Sequence, residues 1–125
     1  MLKMFAIAAS AWLMCLANAS AQEVPAEAAD DLHCAVIGMQ LVGDPASDPQ
    51  AKQAGTMITI FYVGRLQGRA PGVDLERPIL DYERTLTVDR VNAERQRCAA
   101  EFRQVGVDLQ DLGQRLSAHE TGQTH

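Results

Sequence analysis

A tyrosine and two arginines at helical spacing form the set of side chains best suited to bind an anion. They are Tyr62, Arg65 and Arg69, in the stretch FYVGRLQGR at residues 61–69. Residues three or four apart lie on one face of a helix, so these side chains could line a pocket for an anion or a partner's carboxylate. In a structural interpretation, these side chains instead pack within the fold, and an acidic residue of the third or fourth helix lies between the two arginines.

Two glycines of the same stretch support the structural interpretation. Gly64 and Gly68 are four residues apart and share a helix face. A glycine lets another backbone approach closely. We therefore expect a neighbouring helix to pack against them, and the anion or partner site is the alternative.

No other residues have the spacing of a catalytic or metal site. The soft metal ligands lack the paired short spacing of a zinc site: His33, Cys34, Cys98, His119 and His125. Two acidic pairs, Asp81/Glu83 and Asp108/Asp111, have no accompanying nucleophile or histidine. Motifs for nucleophilic, redox or phosphate chemistry are missing from the sequence. We expect no catalytic residues, no metal and no cofactor.

The first 21 residues are typical of a secretory signal peptide. Lys3 precedes an apolar run from Phe5 to Leu16, and small residues follow. The run is too short to span a bilayer comfortably. We expect cleavage after Ala21, or after Ala19, and no stable membrane insertion afterwards.

Charge and cysteine content then indicate the compartment. Cleavage removes one lysine and no acid, so the formal net charge changes from −5 to −6. Such a chain has no electrostatic attraction for nucleic acid or an anionic membrane. Cys34 and Cys98 remain as an even pair, which predicts a disulfide in an oxidising compartment. Many arginines and alanines are typical of a GC-rich bacterial genome, so we expect a periplasmic or secreted bacterial protein.

Apolar spacing predicts four helices. The first covers about 31–42, with Asp30 or Asp31 as its cap, and the second covers about 49–68. Residues 57–63 could alone form a buried strand, but their flanks favour a helix. Apolar residues wrap the second helix, which predicts a central, surrounded position. A third helix is expected over about 75–86.

The last predicted helix has the clearest pattern. Two apolar rows, each with a period of seven and offset by four, run across 91–116. Thr87 is the expected cap. The rows are Val91, Cys98, Val105 and Leu112, and then Phe102, Leu109 and Leu116.

The predicted organisation is a signal peptide followed by one small domain. Residues 22–30 are expected to be a flexible arm, 31–117 a helical domain and 118–125 a disordered tail. The fold class is all-α, a small four-helix bundle stapled by the Cys34–Cys98 disulfide.

Several short motifs resemble those of known exported proteins. An early HC, the FYVGRLQGR stretch and a late RCAAEF are similar to a group of short, uncharacterised exported proteins of alphaproteobacteria. One disulfide between distant cysteines of a small helical chain resembles the HdeA-type periplasmic acid-stress chaperones. A motif with a cysteine, the tripeptide YVG and a later glycine is similar to one in the Tai-type immunity proteins. Those proteins neutralise cell-wall amidase effectors.

These observations lead to a functional hypothesis. We expect a non-enzymatic exported helical protein that binds a protein or cell-envelope component. The alternatives are an acid-stress periplasmic chaperone, which the second resemblance implies, and a small periplasmic hydrolase.

Overall fold

The computed structural model describes residues 23–122, and the fold is all-α, as predicted. A short 3-10 turn, Ala26–Ala28, leads into four helices, and no strand occurs within residues 23–122. Residues 57–63 are helical, so the strand alternative is wrong. The helices are α1 (Ala29–Gly43), α2 (Pro49–Arg69), α3 (Glu76–Glu83) and α4 (Val88–Gly122).

Side-chain caps define the starts of two helices. Asp48 accepts a hydrogen bond of 2.7 Å from the backbone N–H of Ala51, and Pro49 occupies the first position of α2. Thr87 accepts one of 3.3 Å from the backbone N–H of Arg90 at the start of α4. The expected cap of the first helix is wrong, because α1 begins at Ala29 without a side-chain cap.

Helices α1 and α2 form the closest contact of the fold. An added Cβ at Gly38 would lie 2.8 Å from the carbonyl oxygen of Gly55 and 2.9 Å from the backbone nitrogen of Thr59. One added at Gly55 would lie 2.7 Å from the carbonyl oxygen of Gly38. Since real Cβ atoms do not approach backbone atoms so closely, both positions require glycine.

The prediction that Gly64 and Gly68 carry the close helix contact is therefore wrong. A Cβ at either position would have no described heavy atom within 4 Å, apart from the helix's own nearby backbone. The buried face of α2 lies on the other side, where Ile58, Tyr62 and Leu66 repeat every four residues.

Helix α2 is also not surrounded, contrary to expectation. Met57 is 55% exposed and Ile60 is 68% exposed. Only one face of α2 is covered by its neighbours in the described part of the chain. The apolar circumference predicted burial on all sides, but the small domain does not supply enough helices for that.

The predicted disulfide is present between Cys34 in α1 and Cys98 in α4. Their Cα atoms are 5.5 Å apart, and 64 positions separate them in the sequence. Both cysteines belong to a buried apolar cluster with Ala35, Ile58 and Tyr62. Closing a loop of this length stabilises a fold by roughly 4 kcal/mol on a chain-entropy estimate.

A second apolar cluster includes the segment before α1. Ala28 is fully buried and packs with Leu32 and Leu66, and Val24 lies against them. The boundary of the flexible arm predicted at 22–30 is therefore wrong at its C-terminal end. Burial of Ala28 and Val24 against apolar side chains fixes this segment to the domain.

The predicted disordered tail is wrong from residue 118 to residue 122. Helix α4 continues to Gly122. Each added residue extends a helix by one hydrogen bond once the helix exists, and residues 118–122 contain no proline to stop it. The predicted signal peptide, 1–21, and residues 123–125 lie outside the described residues.

Membrane-spanning helices are not found among residues 23–122, because none of the helices there is both long and apolar enough.

The α1–α2 contact gives a first prediction. Gly38→Ala should lower the free energy of unfolding by about 1–3 kcal/mol, because the added methyl group meets backbone atoms of α2. Gly64→Ala is the matched control on an exposed face. It should leave stability unchanged or raise it by up to about 1 kcal/mol through helix propensity. Urea unfolding of both variants is the measurement, and equal stabilities would contradict the close contact.

Candidate functional site

The two arginines singled out by the sequence converge on a buried aspartate. Arg65 Nη2 lies 3.2 Å from Asp31 Oδ1, and Arg69 Nη1 lies 2.9 Å from Asp31 Oδ2. Asp31 belongs to the first turn of α1, next to the start of the domain. The α1–α2 pairing thus places a carboxylate between the two guanidinium groups.

Asp31 is the one charged side chain buried in the described part of the fold. Only 1% of its surface is exposed. Burial raises the pKa of Asp31, while the charges of Arg65 and Arg69 oppose that rise. Among the described residues, Oδ2 accepts no aligned hydrogen bond, so its contact with Arg69 is one of charge attraction. The carboxylate therefore depends on the arginines to offset its desolvation.

Arg65 joins three helices. From α2 it donates a hydrogen bond to Glu101 Oε1 of α4 and pairs with Asp31 of α1. Its guanidinium also lies 5.5 Å from the ring centroids of Phe61 and Tyr62. Burial alone would lower the pKa of Arg65, but the hydrogen bond to Glu101 and the charge of Asp31 outweigh it and raise the pKa. Arg65 is therefore held as a cation.

Arg69 has a more open position than Arg65. Its side chain is 42% exposed, against 29% for Arg65. Besides pairing with Asp31, its Nη1 donates a hydrogen bond of 2.9 Å to the backbone carbonyl of Glu27. Arg69 thus ties the segment before α1 to the end of α2.

Tyr62 is fully buried. Its hydroxyl donates a hydrogen bond of 3.3 Å to the backbone carbonyl of Cys98. Burial raises the pKa of Tyr62 to about 12, so the phenol stays protonated at neutral pH. The side chain acts as a donor inside the core.

Four charged groups meet in this cluster, and Arg97 Nη1 of α4 also lies 3.7 Å from Glu101 Oε2. Arg65 and Arg69 carry two positive charges, and Asp31 and Glu101 carry two negative ones. A partner or anion site at Tyr62, Arg65 and Arg69 stays a prediction. The structure adds that each of the three already has a partner within the chain, and that Arg69 is the most exposed of them.

Sequence reasoning placed an acid of the third or fourth helix between the two arginines. Glu101 of α4 pairs with Arg65 alone, and the acid that lies between both arginines is Asp31 of α1. That reasoning did not identify Asp31, which it treated as a helix cap. A signal for both acids was available, because each lies three residues from a cysteine of the predicted disulfide. A residue one helical turn from a disulfide between two helices lies close to the other helix. Side chains from both helices can therefore bind the same partner there.

A stacked pair of rings lies near this cluster. The His33 and Tyr82 ring centroids are 3.9 Å apart and the planes are 11° from parallel. Burial lowers the pKa of His33, and the negative charges of Glu94 and Asp30 only partly oppose this. The imidazole is therefore easier to protonate in the unfolded chain than in the fold.

An apolar groove is the second surface feature. It lies where the C-terminal half of α1 faces α2 and has a volume of about 340 Å³. Val42 is 40% exposed and Ile60 is 68% exposed. The groove is lined by Met39, Val42, Gly43, Thr56, Thr59 and Ile60.

Other candidate chemistry is not assembled by the fold. Within residues 23–122, no three histidine, cysteine or acidic side chains meet in a way that could hold a metal ion. Asp81 pairs with Arg84 at 2.9 Å, and Asp108 accepts a hydrogen bond of 2.9 Å from Gln104. Both contacts are local, within four residues along the chain.

Comparison with known proteins found no matching family model, no matching curated protein and no matching solved structure. The resemblances suggested by the sequence motifs therefore stay predictions. The groove, the charge cluster and the disulfide are the features from which function can be argued.

The charge cluster gives a second prediction. Arg65→Met should lower the free energy of unfolding by about 3 kcal/mol, because it removes the cation shared by a buried and a half-buried carboxylate. Arg103→Met is the control, since Arg103 is exposed on α4. It should change stability by less than about 0.5 kcal/mol. Thermal unfolding is the measurement, and equal effects would mean that the cluster contributes no stability.

Proposed function

We propose that this chain is a non-enzymatic, exported bacterial protein that binds an apolar segment of another protein or envelope component. The observation that supports the proposal is the groove between α1 and α2. Its lining residues Met39, Val42 and Ile60 offer apolar surface that residues 23–122 leave open. Burying such surface against a ligand is favourable by roughly 25 cal/mol per Å².

The composition of the groove suits ligands of varied shape. Met39 is one of its lining residues. Methionine has a flexible, polarisable side chain that adapts to different apolar partners. The hydroxyls of Thr56 and Thr59 donate to backbone carbonyls of their own helix, so both threonines present their methyl groups at lower polar cost.

Export is supported by the leader and the disulfide together. Residues 1–21 have the pattern of a cleaved signal peptide. The Cys34–Cys98 bridge closes a long loop in a small domain, and such bridges persist in oxidising compartments. The non-enzymatic part of the proposal is supported by the charge cluster, whose acidic and basic groups are paired with one another.

Site-specific photo-cross-linking in cells tests the groove. The photoreactive residue benzoylphenylalanine replaces Ile60 at the groove, and Gln67 on the same helix as the control. Cross-linked adducts are expected at position 60 and should be lost when Val42→Asp is added. The Gln67 position should give few adducts. Equal labelling at both positions, or adducts that Val42→Asp leaves unchanged, would contradict the groove as the binding surface.

The same cells report on export. Mass spectrometry of the protein released with the periplasm should show a chain beginning at Gln22, or at Ser20. A chain that keeps Met1 and stays in the cytoplasm would contradict the proposed location.

A second candidate function is an acid-stress chaperone, and His33 is the observation that favours it. The pKa of His33 is lowered by burial. A group with a lowered pKa is protonated more readily in the unfolded chain, so acid shifts the equilibrium toward unfolding. The disulfide would keep α1 and α4 connected in a loosened state.

The acid response gives a further prediction. Stability conferred by neutral His33 is present above its ordinary pKa of 6.5 and is lost as the pH falls below that value. His33→Phe keeps a ring on Tyr82 and removes the titration. The variant should lose less stability than wild type between pH 8 and pH 5 in urea unfolding. The same loss in both proteins would show that His33 is not the acid-sensitive group.

A further inference from the structure

The C-terminal part of α4 leaves the rest of the fold. Every residue from 106 to 119 is exposed. At 1.5 Å per residue, these fourteen residues extend the helix by about 21 Å. The core contacts of α4 come earlier, at Cys98 and Phe102.

This projecting segment carries an apolar stripe. Leu109 is 63% exposed, Leu112 is 42% exposed and Leu116 is 55% exposed. With half-buried Val105 they follow the alternating 4-3-4 spacing of a coiled-coil seam. The spacing indicates that the missing partner is another helix, since a seam of this period matches a helix along its whole length.

The segment is a weak helix when it stands alone. Gly106 and Gly113 lie within it, and a Cβ at either would have no described heavy atom within 4 Å outside the helix's own nearby backbone. An exposed glycine costs a helix about 1 kcal/mol relative to alanine. A partner helix that covers the stripe would supply the missing stabilisation.

We propose that the partner is the same segment of a second copy of this chain, packed antiparallel. The proposal is independent of the α1–α2 groove that supports the proposed function. Asp108 and Arg115 border one edge of the stripe, seven residues apart. In an antiparallel pair of identical helices centred between Leu109 and Leu112, Asp108 of each copy faces Arg115 of the other. Two such Asp108–Arg115 pairs form in the dimer, so the charges of the two copies are complementary.

The other edge of the stripe also fits this arrangement. Gly106 and Gly113 lie along it, and in the same antiparallel register Gly106 of one copy faces Gly113 of the other. Glycines facing each other let two helices approach closely along that side. One register thus uses both the charged edge and the glycine edge.

A parallel pair is excluded by the position of the core. Cys98 and Phe102 lie on the same face of α4 as the stripe, and the apolar cluster that includes α1 and α2 covers that face. Two stripes facing each other in parallel would bring both cores into the same space between the helices. In the antiparallel pair, the two cores lie at opposite ends of the contact, each beside the last turn of the other copy's α4.

The size of the contact indicates a modest affinity. Four apolar side chains from each copy, with the residues beside them, would bury on the order of 1,000 Å² in total, at the small end of specific interfaces. We expect association at micromolar concentrations.

Sedimentation velocity across a concentration series tests the dimer, using the purified disulfide-bonded protein. Wild type should pass from monomer to dimer in the micromolar range. Leu109→Glu should raise the dissociation constant at least about 100-fold, because it places a charge in the seam. Val107→Glu is the matched control, since Val107 is 48% exposed on the opposite face of the same helix. It should dimerise like wild type.

Charge exchange tests the antiparallel register. Asp108→Arg and Arg115→Glu should each weaken the dimer, and the double variant should restore it. Circular dichroism of each variant checks that the fold is kept. A wild-type protein that stays monomeric would overturn the proposal. The stripe would then be bare, covered by residues 1–22 of its own chain, or bound by a different protein. A dimer that survives Leu109→Glu would also overturn the proposal, as would a double variant that fails to recover.

Discussion

The close approach of α1 and α2 is the constraint on which the other contacts depend. Because Gly38 and Gly55 have no side chains, the two backbones approach closely, and carbonyl oxygens lie where a Cβ atom would otherwise be. Once this crossing is fixed, the early turns of α1 must run beside the late turns of α2. Asp31 then lies opposite Arg65 and Arg69, and Cys34 is turned toward α4.

The buried carboxylate explains why so many polar side chains gather at one end of the domain. Asp31 loses its hydration, and the cost falls only if cations remain beside it. Arg65 supplies one and is itself held by Glu101, so the pairing is continued to α4. A replacement by apolar residues could be as stable. The charged arrangement favours one register of three helices, because a slipped register would leave a buried charge without its partner.

A small core leaves apolar surface uncovered. The fully buried side chains cluster around the disulfide and around Leu66, while Ile60 and the leucines of the projecting α4 segment face outward. Domains of about this size bury a smaller fraction of their surface than large ones, and a disulfide compensates for part of the deficit. The groove and the α4 stripe are two separate surfaces of this kind. One suits a varied apolar ligand, and the other suits a helix of matching period.

The sequence alone determined the number and type of elements. Period-seven spacing, Asp48-Pro49 and Thr87 predicted helices because these signals act within one or two turns of chain. It also predicted the disulfide, because cleavage of the expected signal peptide would leave Cys34 and Cys98 as the one possible pair. At 57–63 the flanks favoured a helix but left a strand open, and the structure shows the helix.

Tertiary structure decided what those elements face. Gly64 and Gly68 have the same local spacing whether or not a helix lies beside them, and the contact belongs instead to Gly38 and Gly55. Asp31 has the local character of a cap, yet the crossing of α1 and α2 makes it the partner of two arginines. The α4 stripe predicts burial from its period, but a period does not say whether the covering helix belongs to the same chain. These outcomes depend on the relative placement of helices distant in sequence, and no local pattern encodes it.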